Sequence, residues 1–196
     1  MARSRSTKPP APPVESAAPG AVLLALDLQA LLLAAIPEAD ALLARCRLAV
    51  RAAAGLGIPV VFTEQAPAKL GPTDPELRAA APDAPALAKT TFSALADDAI
   101  LARLRALDCE HLLICGIETP VCVYQTALNA LAEDFQVTVL TDAVGARRSA
   151  DADACLRSLA GSGVHLLPVE TVLYALLHDA GHPFFKTLTQ LVKTHG

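Results

Sequence analysis

Short apolar runs alternate with long segments rich in alanine and leucine from Ala21 onward. The runs contain few polar positions, which is typical of strands buried on both faces of a parallel sheet. The alternation predicts repeated βα units and the α/β fold class. The predicted strands are Ala21 to Leu28, Ile58 to Thr63, a short piece near Leu87 to Lys89, His111 to Gly116, Gln136 to Thr141 and Val164 to Leu167. The predicted helices are Glu38 to Gly55, Asp97 to Leu107, Thr119 to Glu133, Ala150 to Gly161 and Thr171 to His178, with a final helix after Pro183.

The first 20 residues differ from the rest of the chain. They contain five prolines and almost no large apolar side chains, so they cannot bury enough surface to become ordered. We predict a disordered tail over residues 1–20 and one domain over residues 21–196. Arg3, Arg5 and Lys8 allow an organelle-targeting segment as the alternative, but the prolines oppose the amphipathic helix that such a segment needs.

Composition narrows the function classes. The 196 residues are 53% hydrophobic, which suffices for one well-buried domain. The net charge is -4, and the sequence contains no block of like charges. We therefore expect neither a nucleic-acid partner nor binding to an anionic membrane surface. The apolar runs are also shorter than the roughly 20 residues that cross a bilayer.

The cysteines indicate a reducing compartment. The five of them lack a C-x-x-C pair, and no secretory hydrophobic segment opens the chain. We therefore predict a cytoplasmic protein without disulfides. The five histidines lack ligand-like spacing to the cysteines, so a structural zinc site is not expected.

Cys122 follows the apolar run His111 to Ile117 at the predicted start of a helix. Thr119 is a good N-cap, and Pro120 is a good first helical residue because its missing N–H would have no partner there. Cys122 then lies in the first turn, where the helix dipole favours the thiolate and lowers the thiol pKa below about 8.5. The sequence thus predicts a nucleophile, with a small buried hydrophobic side chain as the alternative.

Two lone charges close other predicted strands. Asp27 interrupts the run Leu23 to Gln29, and Lys89 closes a short run that begins at Leu87. The carboxyl ends of parallel strands lie at the same edge of a sheet, where ligands bind. We expect Asp27 to accept the thiol proton of Cys122 and Lys89 to stabilise the resulting charges. The alternatives are a helix cap for Asp27 and a solvated surface position for Lys89.

Further polar and aromatic side chains lie near this predicted edge. Glu64 and Gln65 end the second strand and could hydrogen-bond a substrate, or they could simply shape the following loop. Phe92 and Tyr124 could line a cavity, although core packing is the more common role for a single aromatic such as Phe92.

Two surface features suggest other roles. Arg147 and Arg148 follow the fifth strand, and surface solvation or contact with a second subunit explains them more simply than substrate binding. The apolar helices, especially Thr171 to His178, suggest that a surface is covered by association. We expect a homodimer or a higher homo-oligomer.

Four blocks of the chain carry a family resemblance. They are Leu26-Asp27-Leu28-Gln29; Thr63-Glu64-Gln65 with Leu70-Gly71-Pro72-Thr73 and Pro75-Glu76-Leu77; Lys89-Thr90-Thr91-Phe92-Ser93; and Cys115-Gly116-Ile117-Glu118 leading to Cys122. With a closing His182-Pro183 and Phe185-Lys186, the chain resembles the isochorismatase-like cysteine hydrolase superfamily, most closely its isochorismatase domain-containing branch.

The resemblance implies a three-layer α/β/α fold around a mostly parallel, six-stranded, Rossmann-like sheet. It implies a catalytic triad of Asp27, Lys89 and Cys122 that hydrolyses an amide-like bond through a thioester. It also implies a cis peptide between Ile117 and Glu118, which directs the backbone N–H groups of Glu118 and Cys122 into an oxyanion hole.

Departures from the family pattern refine this expectation. Nicotinamidases of this superfamily carry metal-binding histidines after the second strand, which this chain lacks, so neither a metal nor another cofactor is expected. Enzymes that cleave isochorismate lack the cysteine, which disfavours that reaction here. Pro120 replaces a histidine common in relatives. We therefore expect a metal-independent cysteine hydrolase with a small-molecule C–N substrate. The alternatives are a non-catalytic binding or assembly protein, an isochorismate-type vinyl ether hydrolase and a redox-reactive thiol protein.

Overall fold

The computed structural model describes residues 18–195, which form a six-stranded sheet flanked by helices. The strand order is β3-β2-β1-β4-β5-β6, and all neighbouring strands are parallel. The strands are β1 (Ala21–Leu26), β2 (Val60–Gln65), β3 (Ala86–Lys89), β4 (His111–Ile117), β5 (Gln136–Gly145) and β6 (His165–Leu167).

The α-helices are α1 (Ala30–Leu33), α2 (Ala39–Gly55), α3 (Pro67–Leu70), α4 (Pro75–Ala80), α5 (Asp98–Arg105), α6 (Tyr124–Ala132), α7 (Ser149–Ala160), α8 (Val169–Leu177) and α9 (Phe185–His195). A short 3-10 turn covers Ala94–Ala96, and a π-helical turn, Thr119–Val123, leads directly into α6.

The sheet separates two apolar cores. Alternate residues of β1 face opposite sides, so Leu23 packs in the core under α2, α8 and α9 while Leu24 packs in the core under α5, α6 and α7. Every residue of β1 is buried, as expected of a central parallel strand. The predicted α/β class and three-layer architecture are confirmed.

The predicted strands all occur, but several bounds differ. β5 continues to Gly145, beyond the predicted end at Thr141. The helix predicted from Thr119 to Glu133 opens as the π-helical turn. The short helices α1, α3 and α4 were not predicted, because a segment of four to six residues has no helical hydrophobic period to detect.

Residues 1–17 of the predicted tail lie outside the described residues. Residues 18–20 form a turn before β1, in which the Gly20 carbonyl accepts hydrogen bonds from the backbone N–H groups of Glu110 and His111. Among residues 18–195, no helix has both the length and the apolar character required to span a membrane.

Helix α8 exposes less apolar surface to solvent than its sequence suggests. Val172, Leu173 and Leu177 are buried in the core, whereas Tyr174 is 39% exposed. The apolar pattern that suggested association is therefore explained largely by packing within the chain.

Gly116 allows β1 and β4 to run close together just before the site. Its φ of +114° belongs to the region that favours glycine. A Cβ at this position would lie 2.1 Å from the Leu26 carbonyl oxygen, so a side chain would push the two strands apart. The glycine thus keeps Asp27, which follows β1, beside the end of β4.

Candidate active site

Asp27, Lys89 and Cys122 meet at the carboxyl edge of the sheet. Lys89 Nζ lies 2.7 Å from Asp27 Oδ2 and 3.7 Å from Cys122 Sγ. All three residues are buried, with Cys122 the most exposed at 7%. The three residues that the sequence predicted to converge therefore form one buried cluster.

The Asp27 carboxylate is fixed by two neighbours. Thr63 Oγ1 donates a hydrogen bond of 2.7 Å to Oδ1, while Lys89 occupies the side of Oδ2. The residue has φ +54°, a left-handed conformation that aspartate adopts more readily than most residues. Asp27 therefore does not cap a helix; its carboxylate is directed into the cluster.

The Lys89 ammonium is surrounded by acceptors besides Asp27. Its Nζ lies 2.6 Å from Gln65 Oε1, 3.1 Å from the Thr91 carbonyl oxygen and 3.3 Å from the Phe92 carbonyl oxygen. A buried cation requires such partners, because it has lost its hydration. Lys89 is thus an internal cation that faces both the carboxylate and the thiol.

The Cys122 thiol is held neutral. Burial is the largest effect and the Asp27 charge the next, and together they raise the thiol pKa to about 12 although Lys89 opposes them. The expected lowering of this pKa at a helix N-terminus is wrong for the resting site, because desolvation of the thiolate outweighs the helix dipole. A nucleophilic sulfur here requires a base that removes its proton during attack.

The start of the helix also differs from the prediction. Thr119 is the first residue of the π-helical turn rather than its N-cap, and its Oγ1 donates to the Gly145 carbonyl oxygen at 3.1 Å. The Glu118 carbonyl oxygen instead accepts from Val121 N at 3.0 Å and from Val123 N at 3.2 Å. The Thr119 side chain therefore accepts no hydrogen bond from a backbone N–H group of the helix.

The two backbone groups implied as oxyanion donors lie at this turn. The peptide bond between Ile117 and Glu118 is cis. Within the described part of the chain, the Glu118 N–H donates to no acceptor, and the Cys122 N–H donates to none outside the π-helical turn. Both groups are therefore compatible with a role as donors to a substrate oxygen.

Arg147 contacts the same turn. Its Nε lies 3.0 Å from both Glu118 carboxylate oxygens, and its backbone N donates to Oε2 at 3.2 Å. The hydrogen bond and the charge of Glu118 raise the pKa of Arg147. Arg148 instead pairs with Asp151 at 2.8 Å. Arg147 is thus exposed, as the sequence predicted for both arginines, and it also forms an ion pair with Glu118.

The remaining predicted side chains have varied positions. Glu64 Oε1 accepts from the backbone N and Oγ1 of Thr73, both at 2.8 Å, which shapes the loop after β2. Gln65 binds Lys89. Phe92 is 56% exposed, so the expectation that it packs in the core is wrong. Tyr124 OH lies 3.0 Å from Ser158 Oγ on α7.

Gln29 supports the site in a way that the sequence analysis missed. Its Oε1 accepts from Gln65 N at 2.7 Å, and its Nε2 donates to the Gly71 carbonyl oxygen at 2.6 Å. The side chain therefore ties the end of β2 to the following loop and holds Gln65 against Lys89. The sequence feature that could have revealed this role is an amide side chain two residues after Asp27, at the end of the apolar run.

A cavity of about 810 Å³ lies between α2, the end of β5 and the start of α7. Thr119, Gly145 and Arg147 contribute to its wall, whereas Asp27, Lys89 and Cys122 do not. Within residues 18–195, no group of three or more His, Cys, Asp and Glu side chains is arranged to hold a metal ion.

The model of the isochorismatase domain family matches residues 21–171. The chain is 39% identical over 144 residues to isochorismatase domain-containing protein 2 of Xenopus laevis, covering 73% of this chain and 69% of that protein.

Two solved structures share the fold over almost the whole chain. MAR1 ribonuclease from Caenorhabditis elegans is 30% identical, with a TM-score of 0.84 and coverage of 89% of this chain and 90% of that one. The ycaC gene product of Escherichia coli, described as an octameric hydrolase of unknown specificity, is 28% identical, with a TM-score of 0.86 and coverage of 96% and 93%.

Proposed function

The chain belongs to the isochorismatase family, and we propose that it is a metal-independent cysteine hydrolase of small molecules. It cleaves the C–N bond of an amide-like substrate through a thioester at Cys122. The observation that carries this proposal is the position of the Lys89 ammonium, 2.7 Å from the Asp27 carboxylate and 3.7 Å from the Cys122 sulfur, in a buried site.

The first chemical step is acylation of Cys122. Asp27 takes the thiol proton as the sulfur bonds to the substrate carbonyl carbon, and the carbonyl oxygen becomes an oxyanion between the N–H groups of Glu118 and Cys122. Asp27 then returns the proton to the leaving nitrogen as the C–N bond breaks. An amine and a thioester result.

The second step is hydrolysis of the thioester. Asp27 removes a proton from water as the water oxygen attacks the carbonyl carbon, and the C–S bond then breaks. The sulfur regains a proton from Asp27, which restores the neutral thiol and the carboxylate. The net reaction converts an amide and water into a carboxylic acid and an amine.

Lys89 explains how a thiol with a raised pKa can react. Proton transfer from Cys122 to Asp27 moves one negative charge from the carboxylate to the sulfur. Because the ammonium faces both groups, it stabilises the charge before and after the transfer. The site therefore needs no free thiolate in its resting state.

Other functions have weaker support. The intact Asp27, Lys89 and Cys122 cluster opposes a non-catalytic binding protein, and the thiol opposes the isochorismate-type reaction. The name of the C. elegans relative suggests ribonuclease activity as another candidate function. However, this chain has a net charge of -4 and no block of basic residues, which does not suit binding to a phosphate backbone. The sequence contains no C-x-x-C pair that would support a redox role.

Assembly and location form part of the same proposal. The octameric E. coli neighbour supports a homo-oligomer of this chain. A cytoplasmic location stays a prediction from the cysteine content.

A panel of small amides, ureides and imides tests the activity, with the hydrolysed products detected by mass spectrometry. Wild-type protein is compared with Cys122→Ala and with Cys155→Ala, a control at a partly exposed cysteine on α7. Turnover in the wild type and in Cys155→Ala but not in Cys122→Ala supports the proposal. Turnover that persists in Cys122→Ala would remove Cys122 from the mechanism.

A further inference from the structure

The Glu118 side chain is fastened to the loop after β5. Three hydrogen bonds reach its carboxylate from Arg147, two from Nε and one from the backbone N. The Glu118 side chain is only 18% exposed, so its carboxylate has lost much of its contact with water. Donors from the protein are therefore needed to satisfy it.

Glu118 is thus fixed at two of its three polar groups. Its carbonyl oxygen accepts from Val121 N and Val123 N, and its carboxylate accepts from Arg147. Only its N–H, the group assigned to the substrate oxyanion, donates to no acceptor among residues 18–195. The contacts leave free the one group that the proposed acylation step uses.

We propose that Arg147 is a positioning residue that fixes the direction of the Glu118 N–H during acylation of Cys122. The inference rests on the proposed cysteine hydrolase function. Arg147 follows β5 while Glu118 follows β4, and Ile117 pairs with Gly145 at the end of these strands. The ion pair therefore joins the two loops at the point where the strand pairing ends, and it limits rotation of the Glu118 residue.

Arg148 provides a matched control. It is the next residue, it is 77% exposed compared with 62% for Arg147, and it pairs with Asp151 in the first turn of α7. That pair holds no group of the site. Exposed ion pairs of this kind add little to fold stability. Loss of either arginine is therefore expected to lower the Tm by no more than about 2–4 °C.

Two reactions at Cys122 separate positioning from a general effect on the thiol. With p-nitrophenyl acetate, the S–C bond forms, the ester C–O bond breaks and p-nitrophenolate leaves, with the thiol proton passing to Asp27. The acyl oxygen becomes an oxyanion on this path. With iodoacetamide, the S–C bond forms as iodide leaves and the thiol proton passes to Asp27, and no oxyanion develops.

The rates of both reactions are measured at Cys122 by stopped flow and peptide mass spectrometry. Arg147→Gln is expected to slow acylation roughly 10- to 100-fold, as misplacement of an oxyanion donor does, while alkylation changes by less than about twofold. Arg147→Lys retains a cation and is expected to recover part of the acylation rate. Arg148→Gln leaves both rates unchanged.

Two results would overturn the role of Arg147. One is an unchanged acylation rate in Arg147→Gln, and the other is an equal loss of acylation and alkylation, which would indicate a general change at the thiol. Failure of the proposed function is seen separately, because wild-type protein would then show no acylation that depends on Cys122.

Discussion

The carboxyl and amino edges of the sheet differ in the polar groups that they bury. At the carboxyl edge, Asp27 and Lys89 form an ion pair that is almost completely buried. At the amino edge, the His111 ring Nε2 lies 2.8 Å from Thr138 Oγ1, and the ring is 6.4 Å from that of His165. Burial and the His165 charge lower the pKa of His111. Burial thus favours a neutral imidazole at one edge, while an ion pair is buried at the other.

The difference follows from what each edge offers a charged group. The last residue of β2 and the loops after β1 and β3 surround Lys89 with a carboxylate, an amide oxygen and two backbone carbonyl oxygens. The amino edge gives His111 a hydroxyl and a second imidazole. The carboxyl edge therefore compensates the lost hydration of a buried ion pair, and this ion pair contacts the Cys122 thiol.

The largest expected effect is the loss of acylation in Cys122→Ala. Removal of the proposed nucleophile is expected to lower the rate of acylation by p-nitrophenyl acetate by at least about 10³-fold. Circular dichroism and the Tm report whether the fold is retained. Cys155→Ala serves as the control and should react like wild type.

Lys89→Met should produce the next largest effect, on stability. It leaves the Asp27 carboxylate buried without its cation, which typically costs about 3–5 kcal/mol of unfolding free energy. Urea unfolding measures the loss, and Lys69→Met, at an exposed lysine of α3, should change stability by less than about 0.5 kcal/mol.

A second variant keeps this prediction testable if Lys89→Met does not fold. Lys89→Met combined with Asp27→Asn removes both charges and should recover part of the lost stability. Equal stability of Lys89→Met and wild type would mean that the ion pair contributes nothing to the fold.

Titration of the thiol separates the site from ordinary cysteines. With a pKa raised from 9.0 to about 12, the alkylation rate of Cys122 by iodoacetamide should still be rising above pH 9. Peptide mass spectrometry over a pH series gives the profile. A midpoint below the model-peptide range would restore the helix-dipole explanation that the structure contradicts. Because the native state disfavours the thiolate, this group should also reduce stability as the pH rises above 9.

The smallest expected effect lies at the amino edge. The unfolded chain binds a proton at His111 more readily than the native protein does, so stability should fall slightly as the pH decreases through about 6.5. Urea unfolding at pH 7.5 and pH 5.5 measures the change, with His165→Gln expected to reduce it. A pH dependence that is unaltered in both His111→Gln and His165→Gln would assign it to other groups.

The cluster of Asp27, Lys89 and Cys122 could be predicted because it depends on topology. Each residue interrupts or follows an apolar run, and parallel strands bring such positions to one edge. The partners that fix them could not be predicted in the same way. The contact of Gln29 with Gly71 joins residues 42 positions apart, and that of Arg147 with Glu118 joins residues 29 positions apart. No periodic sequence pattern links the members of either pair.

The thiol pKa and the role of Thr119 were mispredicted for a related reason. Local helix rules assign Thr119 as a cap and Cys122 as a low-pKa thiol. In the fold, β5 extends to Gly145 and supplies a carbonyl acceptor to Thr119, while burial raises the thiol pKa. Both results depend on tertiary neighbours that local sequence does not specify.

Detection of the acyl-enzyme tests the central claim most directly. Wild-type protein is mixed with p-nitrophenyl acetate, quenched in acid within the burst phase and digested for peptide mass spectrometry. We predict one acetyl group, on the peptide that contains Cys122, which disappears at later times and does not form in Cys122→Ala. Acetylation of other cysteines or lysines, equal in the wild type and in Cys122→Ala, would contradict the account.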